Sequence, residues 1–148
     1  MPKNYAVLLI ISVFTWVGFL GGISFLEAWL KFRAPGVTLP IGLGIGKLVF
    51  GALNKIELIL ATLISIGIFK MNDFSLSSHF PILLVMGCLL IQTFYLLPVL
   101  DARADAIIAG TPPPASKAHI IYIIGEVLKM IGLLWFGISF LRNALKTY

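Results

Sequence analysis

Hydrophobic and polar positions alternate along this chain in long blocks rather than in the short periods of a soluble fold. Four apolar runs, at about residues 5–30, 45–69, 81–100 and 118–141, each reach the ~20 residues needed to cross a hydrocarbon core. Polar or Pro/Gly-rich stretches separate them: "RAPGVTLPIGLG", "KMNDFSLSSH" and "TPPPAS". Pro81 predicts the first turn of the third helix, after Ser77 and Ser78 as capping residues. Pro98 predicts a bend in that helix's last turn, and "DARADAIIAG" offers an amphipathic continuation. The first run is long and lacks a small-residue cleavage site, so it predicts a retained helix rather than a removed signal. Short connections favour antiparallel neighbours. The predicted fold is therefore all-α, a single 1–148 integral membrane domain built as an up-down-up-down four-helix bundle.

Composition agrees. The 148 residues are 59% hydrophobic and 11% charged, against the roughly 25% charged residues of soluble domains. Mean hydropathy is +1.04. The lipid bilayer is the expected partner and a bacterial inner (plasma) membrane, crossed four times, the expected location. A formal charge of +5 raises nucleic acid as a partner, but the eleven Lys and Arg are scattered singly, with no basic block or aromatic platform. The lone Cys88 excludes a disulfide framework within the chain. Call the face with the termini side A and the opposite face side B. Lys3, Lys70, Arg142 and Lys146 fall on A, and Lys31, Arg33, Lys47, Arg103 and Lys117 on B, a balance that sets no orientation.

Polar residues inside the runs carry the functional signal. At 1.5 Å of rise per residue, measured from side B, Glu57 lies at roughly 16–18 Å, Asn54 and Glu126 at about 12–14 Å, Lys129 near 16 Å and Gln92 at about 12 Å. His119, Tyr122, Glu27 and Lys31 lie closer to side B, and the half nearest side A is almost free of ionisable groups. Spacings of three, four and seven align Lys47, Asn54 and Glu57 on the second helix, and His119, Tyr122, Glu126 and Lys129 on the fourth. Because a charge at the bilayer centre costs about 2.5–3.5 kcal/mol, such faces point at protein or water. Together they predict a vestibule open to side B, with Glu57, Glu126, Lys129, Asn54, His119, Tyr122, Glu27 and Lys47 as ligand- or proton-binding candidates. The competing reading makes Glu27–Lys31, Glu126–Lys129 and Glu57–Lys129 structural ion pairs. Lys55 points away from Glu57 and is expected to snorkel or to meet Glu27 or Glu126.

Several chemistries lack their residues. His79 and His119 open successive antiparallel spans, hence opposite faces, which disfavours a haem between them. There is no ExxH pair, HExxH, Ser-His-Asp order or phosphate loop, so no catalytic, metal or cofactor set is assigned. "GLGIG", Gly42 to Gly46, reads as a flexible connection. Gly18 and Gly22 form a GxxxG that reads as close helix packing, with a homo-oligomer contact as the alternative. Trp16, Trp29 and Trp135 read as packing or interfacial aromatics.

"WVGFLGGISFLEAWLKFRAPG", "GLGIGKLVFGALNKIE" and "KAHIIYIIGE" resemble the transmembrane protein 205-like family of small four-helix membrane proteins. Trp16, Gly18, Gly21, Phe25, Phe32, Lys47, Phe50 and His119 are the matching positions, and Glu126 stands where relatives often carry a neutral polar residue. The resemblance implies the fold; the family's eukaryotic branch is associated with drug resistance. Lys47, Asn54 and Glu57 also resemble the Arg-x-x-Arg-x-x-x-Asn-x-x-Glu run of the membrane-associated eicosanoid and glutathione metabolism family, trimers that bind glutathione between subunits. Phe50 replaces that run's second Arg, while Tyr95 and Arg103 fall roughly where its third helix supplies a tyrosine and an arginine.

Two function classes follow. The first is a transport-type or ligand-binding protein whose vestibule takes up a polar or amphipathic small molecule. The second is a glutathione- or lipid-metabolising membrane enzyme, with a structural membrane subunit as the plainest alternative.

Overall fold

Four long helices connected by short turns account for the described residues, 3–71 and 76–146, of this computed structural model. The first helix, α1, covers residues 3–33: α-helical over Lys3–Phe19, widened to a π-helix over Leu20–Glu27, and tightened to a 3₁₀ turn at Lys31–Arg33. Helix α2 is Leu39–Met71. Helix α3 covers residues 76–108, as Leu76–Ile91, a π turn Gln92–Leu96, and Leu97–Ile108. Helix α4 is Ala118–Lys146. Each contains a stretch long and apolar enough to cross a membrane. The molecule is a multi-pass membrane protein with an all-α four-helix bundle fold.

Several boundaries differ from the sequence expectation. Helix α2 begins at Leu39, so "GLGIG" is helix rather than flexible connection. Proline at the second position of α2, Pro40, is compatible with a helix start, because no intrahelical partner awaits its missing N–H. Two of the three glycines in "GLGIG" serve packing: a Cβ at Gly42 would overlap the Phe32 ring, and one at Gly46 would meet Lys31 Nζ at 3.0 Å. The true connection is the five residues 34–38, turned by Gly36 at φ +82°.

Helix α3 starts at Leu76, which places Ser77, Ser78 and Pro81 inside it rather than at its entrance. The Ser77 side chain and residues 72–75 of the polar stretch lie outside the described residues. The amphipathic continuation forms, running to Ile108. Its end is a Schellman motif: Gly110 N–H donates to Ile107 O at 3.1 Å and Thr111 N–H to Ala106 O at 2.9 Å, with Gly110 at φ +77°. The three prolines that follow prevent continuation, and Ser116 Oγ accepts the Ala118 amide at 3.1 Å as α4 begins.

Helix α1 packs between α2 and α4. Helix α3 changes partner along its length: its first half packs on α4, and Leu97–Ile108 packs on α2. The cause is local. Pro98 cannot donate an amide to the preceding turn, and the widened turn Gln92–Leu96 just before it absorbs that loss and redirects the axis. The bend thus falls in the π turn rather than in a last turn near residue 100. The apolar core of the side-A half is built by Leu9, Val13, Ile64, Ile82, Val85 and Leu133 with their neighbours. Gly18 and Gly22 meet nothing within 4 Å of a built Cβ, so they face outward and are not close-packed inside the bundle.

Candidate functional site

The polar residues expected at mid-depth converge. Glu57 on α2 and Glu126 on α4 share one ammonium, Lys129: its Nζ donates to Glu57 Oε1 and pairs with Glu126 Oε1 at 2.8 Å. Side-chain exposure is 0% for Lys129 and Glu57 and 3% for Glu126. The i, i+3 spacing of Glu126 and Lys129 places the pair on one face of α4. Helices α2 and α4 run parallel on either side of α1, which brings Glu57 to the same level.

Neutral donors complete the shell. Trp16 Nε1 donates to Glu57 Oε1 at 2.8 Å. Gln92 Nε2 donates to Glu126 Oε1 at 2.9 Å and to the Tyr122 carbonyl at 3.1 Å. Ser24 Oγ donates to Glu126 Oε2 at 2.5 Å. Both π segments therefore serve one carboxylate, since Ser24 lies in Leu20–Glu27 and Gln92 opens Gln92–Leu96. Gly125 lets Gln92 approach: a Cβ there would sit 2.8 Å from Gln92 Nε2. Two buried oxygens lack a partner among the described residues, Glu57 Oε2 and Gln92 Oε1.

Tyr122 touches this cluster, its side chain against Glu126, and the other candidates surround it without joining. Asn54 Nδ2 donates to Thr93 Oγ1 at 2.8 Å, tying α2 to the π turn of α3. Tyr122 is buried, edge-on to Phe50 with ring centroids 5.7 Å apart. Lys47 leaves the face of Glu57 to pair with Asp105 at 2.6 Å near side B. Glu27 and Lys31 pair along α1 at 3.2 Å. His119 is exposed. Arg103 donates to the Pro114 carbonyl at 2.8 Å, and Tyr95 is 67% exposed. Lys55 meets neither Glu27 nor Glu126, whose charges are taken by Lys31 and Lys129; it is exposed on the outer face of α2.

The expected vestibule is closed at this level. Facing polar residues pair with each other instead of with water, because the α-helical axes approach closely enough for direct Lys–Glu contact. A cavity of ≈ 350 Å³ lies instead at the side-A end, lined by Leu9, His79, Trp135, Phe136 and Asn143 among others.

Sequence reasoning missed Trp16 and Ser24, and placed Gln92 at the right depth without assigning it to the site. Trp16 read as packing because tryptophan is ordinary in a membrane helix. Ser24 could not be aligned with Trp16 by a 3.6-residue period, since the π turns between them change the phase. Trp29 is exposed rather than packed inside the bundle, with Arg33 stacked over its ring at 4.8 Å.

No protein-family model, curated protein or solved structure matches the chain.

Proposed function

We propose that this is a transport-type membrane protein seen with its central site shut, and that the Glu57–Lys129–Glu126 cluster exchanges a proton or a small cation during its cycle. One observation carries the reading: two carboxylates share a single ammonium in a sealed site, and one oxygen, Glu57 Oε2, has no donor. With all three groups ionised the cluster bears one net negative charge. A buried net charge costs several kcal/mol, so the shut state favours one added proton or cation, and losing it favours opening to water. Glu57 Oε2 is the free acceptor for that species. The path toward side B runs by Tyr122 and Asn54, and opening there recreates the vestibule for a polar or amphipathic solute.

The test is reconstitution into vesicles loaded with a pH-sensitive dye. Wild-type protein is expected to speed the collapse of an imposed proton gradient over protein-free vesicles, and Glu57→Gln to remove the effect. Cysteines at positions 54, 122 and 126 are expected to react with side-B reagents faster as the cluster loses its proton. A gradient as long-lived as in empty vesicles, with all three cysteines permanently protected, would favour the second reading. That reading is a structural tie, and full burial of Lys129 between two carboxylates is what speaks for it.

A further inference from the structure

Lys55 is the midpoint of α2, sixteen residues from Leu39 and sixteen from Met71, and it is exposed on the outer face of that helix. No hydrogen bond or ion pair to it exists among the described residues. At 1.5 Å of rise per residue, either end of α2 is about 24 Å away. A hydrocarbon core is about 30 Å thick, so its middle lies about 15 Å from either surface. A lysine stem recovers only about 6 Å of that distance by snorkelling. The ammonium therefore stays within the membrane interior, where an unpaired charge is expensive.

The same face of α2 continues toward side A into an open groove. Leu58, Thr62 and Ser65 follow Lys55 at three, seven and ten residues, and with Met86 and Leu90 of α3 they wall a cleft of ≈ 380 Å³. The cleft exists because the first half of α3 packs on α4, and α3 makes most of its contact with α2 beyond the π turn. The Asn54–Thr93 bond closes its side-B end. Thr62 Oγ1 donates to Leu58 O and Ser65 Oγ to Ala61 O, each at 2.8 Å, so both protons are already donated within α2. Small residues of this kind on the groove floor let another helix approach closely.

We infer that this groove docks one transmembrane helix of another membrane protein, whose mid-membrane Asp or Glu pairs with Lys55 while its apolar face fills the cleft between α2 and α3. Charge complementarity decides the occupant. A phospholipid headgroup stays at the membrane surface, out of the ammonium's reach. A second copy of the chain has no carboxylate to offer at this depth. Glu57 and Glu126, near the level of Lys55, are buried against Lys129. Glu27, Asp101 and Asp105 lie toward side B beside Lys31 and Lys47, and Asp73 follows the end of α2. Two copies meeting on a two-fold axis at this groove would also set lysine against lysine.

Fluorescence energy transfer in phosphatidylcholine vesicles tests this, between the donor-labelled full chain and an acceptor-labelled, leucine-rich transmembrane peptide with one central Glu. The same peptide with Leu in that place is the reference. Wild type is expected to bind the Glu peptide about tenfold tighter than the Leu peptide, the scale of one interhelical polar contact in a bilayer. Lys55→Leu is expected to remove the preference and Lys55→Arg to keep it. Thr62→Trp fills the groove floor and is expected to weaken Glu-peptide binding about fivefold or more with Lys55 intact. An unchanged helical circular dichroism spectrum identifies folded variants. Equal binding of the two peptides by wild type, a preference that survives in Lys55→Leu, or undiminished Glu-peptide binding by Thr62→Trp would each overturn the inference.

Discussion

Lys129 and Lys55 stand in the same half of the bundle, yet one is fully buried and the other faces lipid. The difference is the company each keeps. Lys129 has two carboxylates within ion-pair distance, while Lys55 has no acceptor among the described residues. A lysine goes inside a membrane bundle when acceptors already wait there; otherwise its stem carries the charge outward. The side-B half is thus organised by where its carboxylates lie, and the two acids that reach the centre determine which lysine follows.

The largest effect is expected from removing the buried cation. Lys129→Met leaves two carboxylates facing each other without an ammonium, and breaking such a pair costs about 3–5 kcal/mol. Thermal unfolding in detergent should show a strongly lowered midpoint. The triple variant Glu57→Gln, Glu126→Gln, Lys129→Met removes all three charges and should recover most of the loss. A triple variant as unstable as Lys129→Met would show that packing volume, rather than charge, decides the contrast between the two lysines.

The two acids should separate next. Glu126 uses both oxygens, against Ser24, Gln92 and Lys129, whereas Glu57 leaves Oε2 unpartnered. An amide at 126 keeps its carbonyl for Lys129 and Gln92 only by turning its NH₂ toward Ser24, which reverses that bond and gives up a charged acceptor, a loss of about 1.5–3 kcal/mol. An amide at 57 can place its NH₂ at the free position and keep its carbonyl for Lys129 and Trp16. Glu126→Gln should therefore unfold at a lower denaturant concentration than Glu57→Gln, and the reverse order would contradict the assigned oxygen partners. Trp16→Phe is smaller still: it deletes one donor to a carboxylate already held by Lys129, for about 1 kcal/mol.

These contrasts show what the sequence made legible. Length, hydropathy and spacing carried the four helices, and helical rise placed Glu57, Glu126 and Lys129 at one level. Depth and face are one-dimensional properties, and a chain reports them directly. Whether facing residues enclose water or grip one another depends on the distance between helices, and no single-helix pattern encodes it. That is why the expected open vestibule is a sealed cluster. The same limit hid Ser24: a π turn changes helix phase without a sequence signature, so no 3.6-residue period places the serine beside Glu126. Lys55 was legible as the residue out of line with Glu57, whereas the widened turn at Gln92–Leu96 was not legible from Pro98 alone.

The smallest expected effect concerns that other lysine. Lys55→Leu removes a charge that no described residue needs and continues the apolar stripe of Leu48 and Ile59. In detergent without added phospholipid, its unfolding free energy should stay within about 0.5 kcal/mol of wild type, as for surface substitutions away from special features. If Lys55→Leu instead lost as much stability as Lys129→Met, Lys55 would have to hold an internal partner, and the contrast between a lysine placed by carboxylates and one left outside the bundle would not stand.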